Sequence, residues 1–353
     1  MKIKLAILEQ NQIYLNRIVT AFSTKYADKL EIYSFTDMDI ALATLDSSRI
    51  DVLIAGEEFD VDTSKIPGRC GFAYFVEAMD IDTIKGHMAI CKFQKAELIY
   101  KQILSVYSEN AGNISGLKLG DGDTKIIVFS SPCGGVGTST VAASCAAYYA
   151  GKGSKTLYLN LEKFGTSDVF FAAEGQFDMS DIIYAIKSRK ANLLMKLESS
   201  VKQDANGVYF YSGTKVAMDM LELTAEDIIN LISELKLAGT YDYIVIDKDF
   251  GVDKDSISIY KQAHAVVWVS DGLSVSNTKI VRAYNALSIM EQNEERPLTE
   301  RLCLIYNKFS NKTGLTVGDI NIKNIGGAPV YLHATERQVM DQLSVMEMFG
   351  KIV

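Results

Sequence analysis

Residues 125–150 read KIIVFSSPCGGVGTSTVAASCAAYYA. The apolar run Lys125–Phe129 has the composition of a buried strand, Gly134, Gly135 and Gly137 interrupt it, and a stretch of small residues with helical character follows. Strand, glycine-rich turn and helix in that order turn successive backbone N–H groups and a helix N-terminus toward one point, the geometry that cradles phosphate oxygens. Glycines in this position also suit a bare strand-to-helix turn, so the reading depends on what stands around them.

Downstream, further strands are expected at Thr156–Asn160, Val208–Tyr211, Tyr243–Asp247, Ala265–Val269 and Leu302–Tyr306, with intervening stretches long enough for crossover helices. Upstream, residues 111–124 (AGNISGLKLGDGDT) lack periodicity and are rich in Gly, Asn and Asp, which marks a linker placed at 113–124. Ahead of it a second alternating series runs through strands at Lys4–Leu8, Leu30–Phe35, Val52–Ala55, Phe72–Val76 and Met88–Cys91. Tyr14, Leu15, Ile18, Val19 and Phe22 recur at helical spacing, and helices are also expected at Asp39–Leu45 and Ala96–Tyr107. The expected organisation is two doubly wound parallel α/β domains, residues 1–112 and 125–353.

The 353 residues carry 36 Lys+Arg against 44 Asp+Glu, a formal net charge of −8, and the sequence pI is near 5.1. Hydrophobic residues at 48% and charged residues at 23% exclude wholesale disorder. The acidic balance argues against coating nucleic acid, and the short cluster Lys187, Arg189 and Lys190 reads as a solvated helix end. No apolar run approaches the ~18 residues of a membrane span, and the start MKIKLAILEQ turns polar too early for a secretory leader, so a cytoplasmic location is expected. Five cysteines without a CxxC pair and three scattered histidines disfavour disulfides and zinc.

GGVGTSTVAA resembles the deviant Walker A loop, K-G-G-x-G-K-[ST], of the ParA/MinD family of dimerising ATPases, within the P-loop NTPase fold. The resemblance extends downstream: LYLNLE puts Asn160 and Glu162 where the family has D-x-D, YIVIDKD ends its Walker B strand at Asp247, and VVWVSDGLSVSNTKIVRA matches a strand, loop and Ser-bearing helix start. LIYNKF puts Asn307 at the adenine-contacting position, and APVYLHATE matches the segment that closes over the base. The resemblance implies ATP and Mg²⁺ as cofactors. Phosphates would lie on Cys133, Gly134, Gly135, Val136, Gly137, Thr138, Ser139 and Thr140. Ser139 and Asp247 would hold Mg²⁺, the latter through water, and Glu162 would orient the attacking water, although it is one methylene longer than the family's Asp.

Both lysines of the motif are absent: Cys133 stands at the signature position that reaches the partner's nucleotide across the dimer, and Thr138 at the loop position. A charged hydrogen bond is worth ~1.5–3 kcal/mol, so losing one weakens binding by ~10–100-fold. Hydrolysis is more exposed, since an analogous trans cation is worth ~10³–10⁵ in kcat. Binding with slow or absent hydrolysis is therefore expected. Lys163 and Lys248 are candidate substitutes that also read as solvated surface charges. Cys133 could be a reactive thiol at a helix N-terminus, but drift from Lys explains it better, and Pro132 rigidifies the turn.

The first domain resembles a response-regulator receiver that cannot be phosphorylated. The acidic pair is reduced to Glu9–Gln10, the acceptor position is Gly56, the fourth strand ends in Val76, and Lys92 alone keeps its family identity. Glu57 and Glu58 follow one and two residues late and read as solvated. A degenerate receiver ahead of a ParA/MinD-type domain resembles the TadZ/CpaE family. That resemblance implies a homodimeric ATP-binding factor that places the Tad type IV pilus machinery, meets pilus or secretion proteins, and is focused at a cell pole through membrane-bound partners. The alternatives are a working ParA/MinD-type ATPase of partition, division-site or flagellar placement, and a nucleotide-free interaction scaffold. At the C-terminus Val339, Met340, Leu343, Met346 and Phe349 have helical spacing, but Asp341 and Glu347 beside Lys351 favour core packing over an anionic membrane, with peripheral association at most.

Overall fold

The computed structural model describes residues 2–110, 123–189, 192–292 and 296–353. Most of the expected linker, and Lys190 of the basic cluster, lie outside the described residues. The chain packs as two units, one of Met1–Ser115 with Tyr184–Ser200, the other of Gly116–Ile183 with Val201–Val353.

In the first unit β1 (Ile3–Leu8), β2 (Leu30–Phe35), β3 (Val52–Gly56), β4 (Gly71–Val76), β5 (Thr83–Ile84) and β6 (His87–Cys91) form one sheet in the order β2-β1-β3-β4-β6-β5. All its pairs are parallel except β5 with β6. Alternation along β1 divides the core: Leu5 and Ile7 face helices α1 (Gln12–Lys25) and α3 (Ala96–Asn110), whereas Ala6 and Leu8 face α2 (Met38–Ser47). Residues 57–70 and 77–86 carry a 3₁₀ turn at Thr63–Lys65 and the short β5 rather than helices.

Residues 184–200, placed by sequence within the second domain, belong to this first unit. Helix α6 (Leu193–Ser200), which follows α5 (Met179–Ser188), lies along α3. Lys196, 5% exposed, donates through Nζ to Ser105 Oγ at 2.8 Å. The Leu193–Leu197 pattern specifies an amphipathic helix but not which core its apolar face fills.

The second unit holds β7 (Lys125–Ser130), β8 (Thr156–Asn160), β9 (Lys202–Gln203), β10 (Tyr209–Phe210), β11 (Tyr243–Asp247), β12 (Ala265–Ser270), β13 (Leu302–Tyr306) and β14 (Lys323–Gly327). Their order is β14-β13-β12-β7-β11-β8-β10-β9, parallel except for the β9–β10 edge pair. β7 lies centrally between β11 and β12, so the chain leaves β7 at the point where successive strands are added on opposite sides, where open α/β sheets bind ligands. Short strands β9 and β14 went unread in the sequence because neither has an apolar run.

Helix α4 (Thr138–Gly151) explains the small residues after the loop. Val141, Ala142, Ala143, Cys145 and Ala146 are fully buried, since α4 packs on the sheet and is covered by the helix Glu336–Leu343. Met340, Leu343 and Phe349 are fully buried too, and Tyr149 OH donates to the Phe349 carbonyl at 2.9 Å. The C-terminal segment is therefore core, as its charges suggest. Among the described residues no helix is long and apolar enough to cross a membrane, and all five cysteines are free and buried. Leu343→Ala should lower the unfolding free energy by ~2–5 kcal/mol in urea titration, because the truncated site lies under a helix wedged against the sheet.

Candidate functional site

Parallel register brings the carboxyl ends of β7, β11 and β8 together, with Asp247 opposite both Phe129 and Asn160. The loop that follows β7 turns on Gly135 (φ 74°) and on Gly137 (φ 84°), which caps α4. Gly137 is required twice over: its backbone is left-handed, and a Cβ there would stand 2.6 Å from Asn307 Nδ2. The loop thus opens a 14-residue helix at a sheet switch point, an arrangement able to hold an anionic phosphate group.

Asp247 is fully buried. Its Oδ2 accepts from Tyr158 OH at 2.8 Å and from Asn160 Nδ2 at 3.4 Å, while Oδ1 has no hydrogen-bond partner among the described residues. Burial, and next the nearby Glu162 carboxylate, push the Asp247 carboxyl well above the ordinary range. Ser139 Oγ donates to Glu162 Oε2 at 3.2 Å, and Asn160 Oδ1 accepts from the Glu162 N–H at 3.1 Å. Two carboxylates and a hydroxyl therefore converge where a cation would relieve both the orphaned oxygen and the carboxylate repulsion. Oxygen donors of this kind suit a hard divalent ion such as Mg²⁺.

Ser139, Glu162 and Asp247 are brought together with the loop, as expected. Asn307 also reaches the loop, but from the side: it is 2% exposed and donates through Nδ2 to the Val136 carbonyl at 2.8 Å, which commits that group to the loop backbone. Cys133 is buried, and its thiol donates to the Ser276 carbonyl at 3.4 Å; burial raises its pKa, so it is a structural thiol rather than a reactive one. Lys248 Nζ donates to the Asp249 carbonyl at 3.0 Å and to Ser256 Oγ at 3.2 Å. Lys163 is exposed. A cavity of about 490 Å³ opens by β13 and β14, lined by residues including Tyr306, Phe309, Asn324, Ala328 and Pro329. The residue that sequence reading missed is Lys308, whose Nζ donates to the Gly135 carbonyl at 2.9 Å. Its only sequence signal is adjacency to Asn307.

The receiver-like unit has its own polar centre. Lys92 Nζ and Glu9 Oε2 pair at 2.8 Å with side chains 7% and 1% exposed. Glu58 is not merely solvated. Its carboxylate folds back over Gly56, where any added Cβ would collide with it; Oε1 accepts from the Gln10 N–H at 3.2 Å and Oε2 lies 3.9 Å from Lys92 Nζ. The space of an acceptor side chain at Gly56 is thus filled by a carboxylate from two residues on. Val76 closes the fourth strand fully buried and offers no hydroxyl.

Residues 1–108 match the family described as "TadZ-like, receiver domain", so the first domain is a TadZ-like receiver domain. The second is a doubly wound, mostly parallel α/β sheet with a glycine-rich loop at its switch point. Solved structures similar to the chain include a ParA family ATPase from Chlorobium tepidum TLS, with 19% identity, 64% of this chain and 93% of that chain covered, and a TM-score of 0.49. The MinC:MinD cell division protein complex of Aquifex aeolicus follows at 19% identity, 65% and 97% coverage and 0.48. MinD complexed with Mg-ADP from Pyrococcus horikoshii OT3 has 17% identity, 63% and 94% coverage and 0.47. No curated protein matches the chain.

Asp247→Asn should stabilise the protein. Because the folded-state pKa is raised, ionising Asp247 costs stability as pH climbs from the unfolded carboxylate value near ~3.9 toward the raised one, and the cost stays constant above it. Without divalent cations, the Asn variant should melt at least ~2 °C above wild type at pH 8, with the difference vanishing near pH 4. In the first domain, Lys92→Met should cost ~3–5 kcal/mol in chemical denaturation by stranding buried Glu9, and Glu9→Gln in the same chain should recover much of it.

Proposed function

We propose that this protein binds ATP with Mg²⁺ in the phosphate loop of its second domain, associates as a homodimer around the nucleotide, and acts as a localisation and assembly factor of the Tad type IV pilus system with weak or absent hydrolysis. The observation that carries the nucleotide reading is the meeting of the left-handed glycines and α4 with Ser139 and the orphaned Asp247 Oδ1. Backbone N–H groups from Gly134 to Thr140 bind the phosphates, Ser139 and Asp247 hold the ion, and the base rests in the cavity beside Tyr306 and Phe309, whose rim includes Ala328 and Pro329 of the segment expected over the base. An ion held there would supply charge neutralisation for the polyphosphate.

Slow hydrolysis follows from charge. Thr138 and Cys133 supply none at the two positions where the motif has lysines, and Glu162, the residue expected to orient water, is engaged by Ser139. This favours a nucleotide-held assembly state over a cycling partition or division-site ATPase. The Tad assignment is supported by the TadZ-like receiver match at residues 1–108. The receiver-like domain lacks a nucleophile at Gly56, so it serves association with the protomer's own kind or with pilus or secretion proteins rather than phosphosignalling. A cytoplasmic location, focused at a pole through membrane-bound partners, fits this role, as does the acidic charge, which is poorly suited to nucleic acid.

Millimolar ATP with Mg²⁺ should raise the thermal midpoint, since ligand at ~100 times Kd adds ~2.7 kcal/mol. Sedimentation in the same buffer should report a mass near twice that of one chain. Single-turnover phosphate release should stay far below ~1 s⁻¹, the low end of ordinary enzymes. An unmoved midpoint rejects nucleotide binding, and release at ordinary rates rejects the slow-enzyme reading.

A further inference from the structure

The phosphate loop carries no lysine of its own, but one is laid against it from β13. Lys308 Nζ donates to the Gly135 carbonyl at 2.9 Å, and its Cε lies 3.7 Å from where a Cβ on Gly137 would stand. Next to it, Asn307 Nδ2 donates to the Val136 carbonyl at 2.8 Å. Two consecutive residues at the end of one strand thus hold two consecutive carbonyls of the loop.

The chain has no cis peptide bond among its described residues. In a planar trans peptide the C=O and N–H point in opposite directions. Fixing the Gly135 and Val136 carbonyls toward Asn307 and Lys308 therefore fixes the Val136 and Gly137 N–H groups toward the other side of the loop, as donors to an anion. A cation on a peptide oxygen also polarises that peptide and strengthens its N–H as a donor.

Lys308 adopts φ 56°, a left-handed conformation that a side-chain-bearing residue takes only when its surroundings impose it. The backbone on either side is held: the Asn307 N–H donates to the Ser270 carbonyl at 2.8 Å and the Phe309 N–H to the Ala328 carbonyl at 2.9 Å. Lys308 is exposed, so the ammonium has donors to spare beyond the one given to Gly135. The charge balance calls for such a group, because Glu162 and Asp247 are the ionisable side chains that converge with Ser139 beside the loop.

We infer that Lys308 is the positioning cation that stands in for the missing loop lysines: from the carbonyl side it holds the loop with its N–H groups turned to the polyphosphate of a nucleoside triphosphate and adds positive charge behind them. This rests on the nucleotide reading above. Neither Lys163 nor Lys248 fills the role, since among the described residues no contact to the loop is seen for the first and the second is engaged by Asp249 and Ser256.

The test is ATP·Mg²⁺ affinity by calorimetry on the full chain at two salt concentrations. Lys308→Met should weaken binding by at least ~10-fold, because loop N–H groups no longer held toward the phosphates must be ordered on binding. It should also flatten the fall of affinity with salt, a readout that mere loosening of the loop would not move. Lys308→Arg should restore affinity to within about threefold and restore the salt slope. Wild-type protein that fails to bind ATP·Mg²⁺ overturns the nucleotide reading and this assignment with it. Wild-type binding that Lys308→Met retains within twofold, or loss on Lys163→Met or Lys248→Met instead, overturns this assignment alone.

Discussion

The parallel ladder that sets Asp247 opposite Phe129 and Asn160 places the end of β11 against the start of the phosphate loop, and the chemistry of the second domain depends on that register. It buries a carboxylate with one oxygen unpartnered, beside a second carboxylate on Glu162. A buried charge of this kind is tolerated only where something else repays its desolvation, and a divalent ion with a bound polyphosphate is the group whose charge and donor preference match. The same ladder puts β12 and β13 on the other side of β7, so the ends of strands far apart in sequence close on one loop from two directions.

Positive charge is the scarce quantity at that site. Motif lysines, where present, arrive from within the loop; here the cation comes from the end of β13 and touches the loop through the Gly135 carbonyl. A lysine held on the carbonyl side of a peptide orients and polarises it, but does not sit where charge develops on a transferring phosphoryl group. This is why the proposed function is to hold a nucleotide rather than to cleave it. Helix α4 transmits the consequence: its small residues let it lie between the sheet and the helix Glu336–Leu343, so the loop at its head is anchored to the C-terminal core.

In the receiver-like domain the same economy appears in reverse. Loss of a side chain at Gly56 has not emptied the acidic centre, because Glu58 folds back over it and Glu9 keeps its buried pairing with Lys92. The ion pair persists without the reactive carboxylate, which makes the centre a structural element. Short connections at 57–70 and 77–86 in place of helices leave α2 as the helix packed, among the described residues, on the face of this sheet opposite α1 and α3.

Much of this was legible in the sequence because the signals are local. Alternating apolar runs gave most of the strands within a residue or two and helical spacing gave α1, α2 and α3 with shorter bounds, while the crossover helices of the second domain were expected without bounds; the glycines with Ser139, Glu162 and Asp247 stood out because loop geometry and strand ends are written in contiguous residues. Edge strands β9 and β14 were silent because short, polar strands carry no periodic signal. The packing of residues 184–200 with the first unit, the return of Glu58 to Gly56 and the approach of Lys308 to the loop share another cause. Each depends on which surfaces meet after folding, and a helix face, a flexible carboxylate or a lysine reads the same in sequence whatever it meets. The sequence by itself determined two α/β domains and a glycine-rich loop without lysines; only the tertiary structure brought Lys308 to that loop, because charge acts across space and not along the chain.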